Sequence, residues 1–294
     1  MSVAEIKPWT ARSLLFVPGD SPRKLEKALT SGADLLILDL EDSVAEGEKA
    51  LARDHVAQAL AAPRHVPLWV RINALDTPHA LQDLVAIVAR RPDGIMLPKA
   101  TPDEAARLHH YLTALEAAAG LRSLSIRIIA ITTETAPALF RLGDFGGTPR
   151  LDALTWGAED FATDLGAEAN RDDNGEFLAP FQMARTLCLA GAVAARAAPI
   201  DTVDPNFRDT DRLMRAAVAA RRLGFRGMMA IHPSQVPVIN AAFTPGAADV
   251  ERARRIVALF ASTPDAGALS LDGEMVDVPH LKLARALLAR LGEA

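Results

Sequence analysis

The sequence has a single cysteine, no apolar stretch long enough to cross a membrane and no excess of basic residues. Cys188 has no second cysteine to pair with, and its alanine-rich surroundings predict a small buried thiol. The first residues lack a basic segment followed by an apolar run, so we predict a soluble, unprocessed protein of the reducing cytoplasm. The net charge of −5 gives no general attraction for nucleic acid, which leaves a small molecule as the expected partner.

What the sequence does contain is a repeated alternation of short apolar runs and longer segments rich in alanine and charged residues. Such alternation predicts strands that are each followed by a helix. The candidate strands span residues 13–19, 34–40, 67–73, 94–100, 126–134, 153–160, 199–203 and 227–233. Eight buried parallel strands, in a chain of 294 residues that is 50% hydrophobic, predict a (β/α)8 TIM barrel. An open doubly wound sheet is the alternative, although no GxGxxG follows the first strand.

Helix signals support this organisation and limit the extent of the barrel. Ser21-Pro22 and Thr101-Pro102 each place a hydroxyl before a proline, which predicts that helices start there. Gly120 is the predicted stop of the second of these helices. We predict a catalytic barrel domain over residues 1–263 and a C-terminal helical lid segment over residues 264–294.

Polar and charged residues stand where nearly every predicted strand ends. In a barrel these ends form one rim on which catalytic groups gather. The residues that we expect there are Arg12, Glu41, Asp42, Arg71, Asn73, Lys99, Glu134, Glu159, Asp160, Asp201, Asp204 and His232. Asp39, between two leucines, is expected to point to a different layer of the barrel.

Several carboxylates with an arginine nearby suit a hard cation that also binds an oxyanionic substrate. Mg²⁺ fits best, because it takes only one or two protein carboxylates and leaves positions for water and substrate oxygens. Zinc is disfavoured, because the clusters of cysteine and histidine that it prefers are missing. We therefore predict that Glu134 and Asp160, at the ends of the fifth and sixth strands, hold Mg²⁺.

Several rim residues also have a structural interpretation. Arg71 interrupts an apolar strand and favours anion binding, with a buried ion pair as the alternative. Glu41 and Asp42 suit either a cap on the next element or support of the metal site. Lys99 is either a solvated strand end or a substrate contact, and His232 is expected to fix its own loop.

The motifs at these positions resemble the citrate lyase β-subunit-like proteins of the HpcH/HpaI aldolase/citrate lyase family, whose relatives include malyl-CoA and citramalyl-CoA lyases. The resemblance runs from residue 12 to the C-terminus. It rests on RSLLFVPGD, LLILDLEDSV, VRIN, GIMLPKA, TETAPALF, LTWGAEDFATDLGA and GFRGMMAIHPSQVPVINAAFTP.

The resemblance implies a role for each matching residue. Glu134 and Asp160 correspond to the magnesium ligands, and Glu134 is also expected to bind substrate. Glu41 and Asp42 would hold metal-bound waters. Arg71 would grip the carboxylate of a 2-oxo acid, a role in both substrate binding and catalysis.

The C-terminal segment GEMVDVP resembles a family motif whose aspartate is the acid/base group of a neighbouring subunit's site. The resemblance therefore assigns that catalytic role to Asp277. It also implies a homo-oligomer, either a trimer or a hexamer.

The expected reaction is cleavage or formation of a carbon–carbon bond between a 2-oxo acid and the enolate of an acyl thioester. Malyl-CoA, citramalyl-CoA and citryl thioesters are the substrate types that the resemblance implies. Two alternatives remain, a malyl-CoA-type thioester hydrolase and a carrier-dependent β subunit of a citrate lyase-like complex. The segments PFQMARTL and TVDPNFRDTD depart from the family pattern where CoA or an acyl carrier is expected to lie.

Overall fold

The computed structural model describes residues 9–293, which pack into two compact units. One unit is Ala11–Phe243, and the other takes in the described residues 244–293 together with 9–10. The boundary that we predict between residues 263 and 264 falls inside the second unit, because the helix Ala247–Ser262 packs against the C-terminal helix Val278–Arg290. No helix within residues 9–293 is both long and apolar enough to span a membrane.

The first unit is a closed barrel of eight parallel strands. Its strands are β1 (Ser13–Pro18), β2 (Leu35–Asp39), β3 (Leu68–Arg71), β4 (Gly94–Leu97), β5 (Arg127–Ile131), β6 (Leu151–Thr155), β7 (Ala198–Asp201) and β8 (Gly227–Ala230). Each strand pairs with the next along the chain, and β8 pairs with β1. This closure confirms the predicted (β/α)8 fold and excludes the open sheet.

Helices follow the strands around the outside of the barrel. They are α1 (Pro22–Leu29), α2 (Lys49–Ala61), α3 (Ala80–Ile87), α4 (Pro102–Ala118), α5 (Ala136–Leu139), α6 (Ala158–Leu165), α7 (Ala179–Ala194), α8 (Thr210–Leu223) and α9 (Val236–Phe243). Both α1 and α4 begin at the predicted prolines. The Thr101 hydroxyl accepts the Glu104 N–H at 3.3 Å, whereas Ser21 makes no side-chain cap.

Several strands end earlier than the sequence predicts. β5 ends at Ile131 rather than Glu134, and β6 ends at Thr155 rather than Asp160. The polar residues therefore lie beyond the strand ladder and are not members of the barrel's apolar core. Inside that core lies Cys188, which is fully buried as predicted, and burial raises the pKa of its thiol to about 12.

The second unit consists of α10 (Ala247–Ser262), the hairpin strands β9 (Ala268–Leu271) and β10 (Glu274–Asp277), and α11 (Val278–Arg290). Asp272 and Gly273 connect the strands with positive φ angles of 54° and 84°, the conformation of a two-residue hairpin turn. A small core that includes Phe260, Val276 and Leu288 joins the hairpin to the helices. The predicted C-terminal helix is therefore present, and its role as a lid stays a prediction.

Candidate active site

Rim residues at or beyond the ends of five consecutive strands, β2 to β6, are joined by direct contacts above the barrel. They are Glu41, Asp42, Arg71, Lys99, Glu134 and Asp160, hereafter called the rim cluster. Glu159, beside Asp160 in the first turn of α6, is exposed and makes none of these contacts. The structure therefore brings the predicted metal ligands and their predicted supporting residues together in one cluster.

Arg12 does not belong to this rim, so our expectation for it is wrong. It precedes β1 and donates to Asp34, which precedes β2, with Nε to Oδ2 at 2.8 Å and Nη2 to Oδ1 at 2.9 Å. Parallel strands all begin at the same end of a barrel. The Arg12–Asp34 pair thus joins the N-terminal ends of two strands, opposite the rim cluster.

Other predicted rim residues have structural partners of their own. These partners are Asp83 for Asn73, Trp156 and Arg185 for Asp201, and Arg212 for Asp204. His232 caps the short 3₁₀ turn Pro233–Gln235, where its Nδ1 accepts the Ser234 N–H at 3.2 Å. This contact agrees with the expectation that His232 fixes its loop.

Glu134 lies just beyond β5 and is only 3% exposed. Its Oε2 accepts a hydrogen bond from the backbone N–H of Lys99, whose φ of 48° lies in the left-handed region. Burial raises the pKa of Glu134 to about 8, and the charges of Glu41 and Asp160 act in the same direction. A cation at this carboxylate would offset that accumulated negative charge.

The Lys99 ammonium lies between two carboxylates that follow different strands, β2 and β6. Its Nζ donates to Glu41 Oε1 at 2.9 Å and lies 3.6 Å from Asp160 Oδ1. Burial alone would lower the pKa of Lys99, but the hydrogen bond and charge of Glu41 raise it above its ordinary value. Lys99 is therefore a charged member of the rim cluster and not a freely solvated strand end.

Arg71 forms a bidentate ion pair with Asp39, a partner that the sequence analysis missed. Arg71 Nε and Nη2 each donate to an Asp39 oxygen at 2.7 Å, while Nη1 donates to Asp42 Oδ2 at 3.1 Å. Asp39 is 1% exposed, and although burial would raise its pKa, Arg71 holds it below the ordinary value. Asp39 thus belongs to the site layer rather than to another layer of the barrel. The register of β2 and β3 places Asp39 opposite Arg71, a pairing that only the structure shows.

The raised pKa of Glu41 reflects both its burial and the negative charge of a neighbouring carboxylate at the rim. Burial raises its pKa to about 7, with a further contribution from Asp42 and an opposing one from Arg71. Arg71 Nη1 lies 2.9 Å from Glu41 Oε2, yet this buried oxygen receives no hydrogen bond. Glu41 Oε2 is therefore held by an ion pair without a hydrogen bond, an arrangement that suits an oxygen beside a hard cation or its bound waters.

The donor chemistry of the rim cluster fits Mg²⁺. Within residues 9–293, no three carboxylate, histidine or cysteine side chains form a ready ligand shell. Mg²⁺ typically uses only one or two protein carboxylates and fills its shell with water and substrate oxygens. Glu134 and Asp160 remain the predicted ligands, and Glu41 and Asp42 the predicted partners of metal-bound water.

Gly157, immediately before α6, allows the chain that carries Asp160 to pass over Glu134. A Cβ at this position would lie 2.9 Å from Glu134 Cγ. We expect Gly157→Ala to displace the Glu134 side chain and weaken Mg²⁺ binding about tenfold, as measured by isothermal titration calorimetry. Gly143→Ala is the matched control, because no atom lies within 4 Å of a Cβ there. Equal Mg²⁺ affinities for the two variants would show that this close approach does not shape the metal site.

Asp277 lies in the second unit, at the end of β10 and the start of α11. The segment GEMVDVP is thus a hairpin strand that runs directly into a helix. Asp277 caps that helix and contacts His280, a residue that the sequence analysis did not single out. The acid/base role of Asp277 stays a prediction.

Comparison with known proteins gives a consistent result. The HpcH/HpaI aldolase/citrate lyase family model matches residues 12–233. A citrate lyase subunit beta-like protein of Mycobacterium tuberculosis is 34% identical over 280 residues, which cover 95% of each chain. A (3S)-malyl-CoA thioesterase of Cereibacter sphaeroides is 35% identical over 283 residues, 95% of this chain and 94% of the relative.

A solved structure extends the similarity to the fold. The M. tuberculosis protein CitE, crystallised with magnesium, acetoacetate and coenzyme A, superposes with a TM-score of 0.79 at 31% sequence identity. The similarity covers 97% of this chain and 99% of that structure. The C-terminal unit is therefore included in the region that the two chains share.

Proposed function

The chain belongs to the HpcH/HpaI aldolase/citrate lyase family, and we propose that it is a magnesium-dependent carbon–carbon lyase. Its substrate would be a 3-hydroxyacyl-CoA thioester of the malyl-CoA, citramalyl-CoA or citryl type, and its products a 2-oxo acid and an acyl thioester. Family membership already confirms the predicted family and its enzymatic character.

The observation that carries the proposal is the rim cluster itself. Buried Glu134 and half-buried Asp160 face Lys99, and Glu41 has an oxygen without a hydrogen bond. Such a group of carboxylates balanced by two cations suits a metal that must also accept substrate oxygens. The magnesium and acetoacetate present in the M. tuberculosis CitE structure are in accord with this assignment.

The chemistry divides between the metal and three parts of the chain. Mg²⁺, when bound, acts as a Lewis acid toward the carbonyl oxygen of the 2-oxo acid. Glu134 and Asp160 would hold it, while Arg71 binds the carboxylate of the oxo acid through Nη1, with Nε and Nη2 anchored on Asp39. Asp39 therefore holds the guanidinium in place, while Nη1 releases Asp42 and binds the substrate carboxylate instead.

In the cleavage direction the substrate hydroxyl must lose its proton as the carbon–carbon bond breaks. We assign that proton to the Asp277 carboxylate. The electron pair of the broken bond stays on the thioester carbon, which leaves as an enolate and then takes the proton from the Asp277 carboxyl group to give the acyl thioester. The hydroxyl-bearing carbon becomes the carbonyl carbon of the 2-oxo acid, so atoms and charge balance. Because Asp277 is expected to serve a neighbouring subunit, we also propose a homo-oligomer, a trimer or hexamer.

Hydrolysis of a malyl-CoA-type thioester is the second candidate, supported by the 35% identity to a malyl-CoA thioesterase. The same metal and charged groups could serve an attacking water. A third possibility is that the chain acts only on an acyl group delivered by a protein carrier. The three differ in their products and in their need for a partner, not in the residues of the rim cluster.

Product analysis separates these functions. We expect purified protein with Mg²⁺ to release a 2-oxo acid and an acyl-CoA from malyl-CoA or citramalyl-CoA, and to lose this activity when EDTA removes the metal. Chromatography of CoA esters, together with a hydrazone assay for the oxo acid, measures both products. Free CoA with intact hydroxy acid would establish the hydrolase instead. Turnover only after addition of an acylated carrier protein would establish the carrier-dependent subunit.

A further inference from the structure

The carboxylate proposed to carry the proton is held by one histidine of its own helix. Asp277 is the N-cap of α11, and His280 is the third residue of that helix. Asp277 Oδ1 accepts the backbone N–H of His280 at 3.4 Å and lies 2.5 Å from His280 Nδ1. Both contacts therefore come from the same residue and converge on the same oxygen.

Two distances from His280 Nδ1 indicate whether this nitrogen carries the proton of the imidazole ring. His280 Nδ1 also lies 3.3 Å from the backbone nitrogen of Asp277, where it would have to accept. One ring nitrogen cannot donate and accept at once. The contact to Oδ1 is 0.8 Å shorter than the one to the backbone nitrogen, which favours Nδ1–H as a donor to the carboxylate.

The two carboxylate oxygens of Asp277 therefore have different environments. All hydrogen bonds to this carboxylate from the described residues end on Oδ1, and the side chain is 32% exposed. Neighbouring charges of the second unit pair elsewhere, with Arg252 on Glu274 and Arg255 on Asp272. Oδ2 thus receives no hydrogen bond from the described residues, whereas Oδ1 is held by two contacts from His280.

We propose that His280 is a positioning residue for proton transfer, which fixes Oδ1 of Asp277 so that Oδ2 meets the substrate hydroxyl. The inference rests on the proposed acid/base role of Asp277. The hydrogen bond from His280 lowers the pKa of Asp277, which keeps the carboxylate ionised and ready to accept a proton. The cap at the helix start adds a second constraint on its orientation.

Variants at position 280 test whether the ring acts through this hydrogen bond. We expect His280→Ala to lower kcat about tenfold with KM changed less than about twofold, because one charge-assisted hydrogen bond orients the proton carrier. His280→Asn places an amide N–H near the position of Nδ1 and should restore kcat to within about threefold of the parent. Lys282→Ala, an exposed change on the same helix, is the control and should leave kcat unchanged.

Substitution of Asp277 separates this inference from the function on which it depends. We expect Asp277→Ala to lower kcat at least about 100-fold, and His280→Ala to have no further effect in that background. Thermal unfolding of each variant checks that the second unit remains folded. If Asp277→Ala keeps its turnover, the proposed role of Asp277 is wrong. If Asp277→Ala is slow while His280→Ala is not, or if His280→Asn is as slow as His280→Ala, positioning by His280 is wrong.

Discussion

Glu134→Gln is expected to abolish Mg²⁺ binding in the micromolar to millimolar range and to lower kcat at least about 1,000-fold, which corresponds to ~4 kcal/mol of transition-state stabilisation. The substitution removes a charged oxygen ligand but keeps the size of the side chain. The hydrogen bond from the Lys99 N–H can persist on the amide oxygen, so the fold should be retained. Calorimetric titration with Mg²⁺ and steady-state lyase kinetics give the two quantities.

Asp160→Asn and Glu159→Gln provide the comparison within one turn of α6. Asp160 lies 3.6 Å from the Lys99 ammonium, whereas Glu159 is exposed and outside the rim cluster. We expect Asp160→Asn to resemble Glu134→Gln, and Glu159→Gln to keep both affinity and turnover. Full activity in Glu134→Gln, or an equal loss in Glu159→Gln, would contradict the assigned ligands.

Combining two inactive variants tests whether sites are shared between subunits. Coexpressed Glu134→Gln and Asp277→Ala chains would form mixed oligomers in which some sites have an intact metal ligand and an intact proton carrier from different chains. Random assembly should restore about a quarter of the parental activity if each site uses a neighbour's Asp277. A site that used Asp277 of its own chain would recover nothing. Light scattering of the same samples measures the number of subunits.

Arg71→Met is expected to destabilise the protein by about 3 to 5 kcal/mol and to eliminate measurable turnover. Asp39 is 1% exposed and receives two of the Arg71 hydrogen bonds, so the substitution leaves a buried carboxylate without its charged partner. Urea unfolding measures the free energy of unfolding. Unchanged stability would mean that this ion pair contributes little to the fold.

A second substitution distinguishes the structural role of Arg71 from its role toward substrate. Asp39→Asn together with Arg71→Met removes both charges and should recover most of the lost stability. We expect kcat/KM to remain at least about 100-fold below the parent, because no guanidinium is left to bind the oxo-acid carboxylate. Recovery of activity along with stability would show that Arg71 serves only as a structural partner of Asp39.

The fold could be predicted because its signals are local. Apolar runs of strand length, prolines at helix starts and polar residues at strand ends each depend on a few neighbouring residues. They gave the eight strands of the barrel and the start of α4 at Pro102. The position of Arg12 was predicted wrongly because Arg12 precedes β1, and residues before parallel strands lie at the end of the barrel opposite the strand ends where catalytic groups gather.

The individual contacts of the site could not be predicted in the same way. The placement of Lys99 between Glu41 and Asp160 depends on a left-handed backbone at a non-glycine residue, which no sequence pattern indicates. His280 and Asp277 are only three positions apart in the sequence. It was missed because the capping role of Asp277 becomes evident only once β10 is seen to end there.

The sequence by itself determined that this chain forms a (β/α)8 barrel and that Glu134, Asp160 and Arg71 stand at one rim, since strand order and strand direction place successive strand ends together. Only the tertiary structure decided which charges pair. Arg71 donates two hydrogen bonds to Asp39. Lys99 lies between the carboxylates of Glu41 and Asp160. Which charges pair depends on distances of a few ångströms between residues far apart in the chain. In a buried environment an unpaired charge is costly, so these distances decide the arrangement.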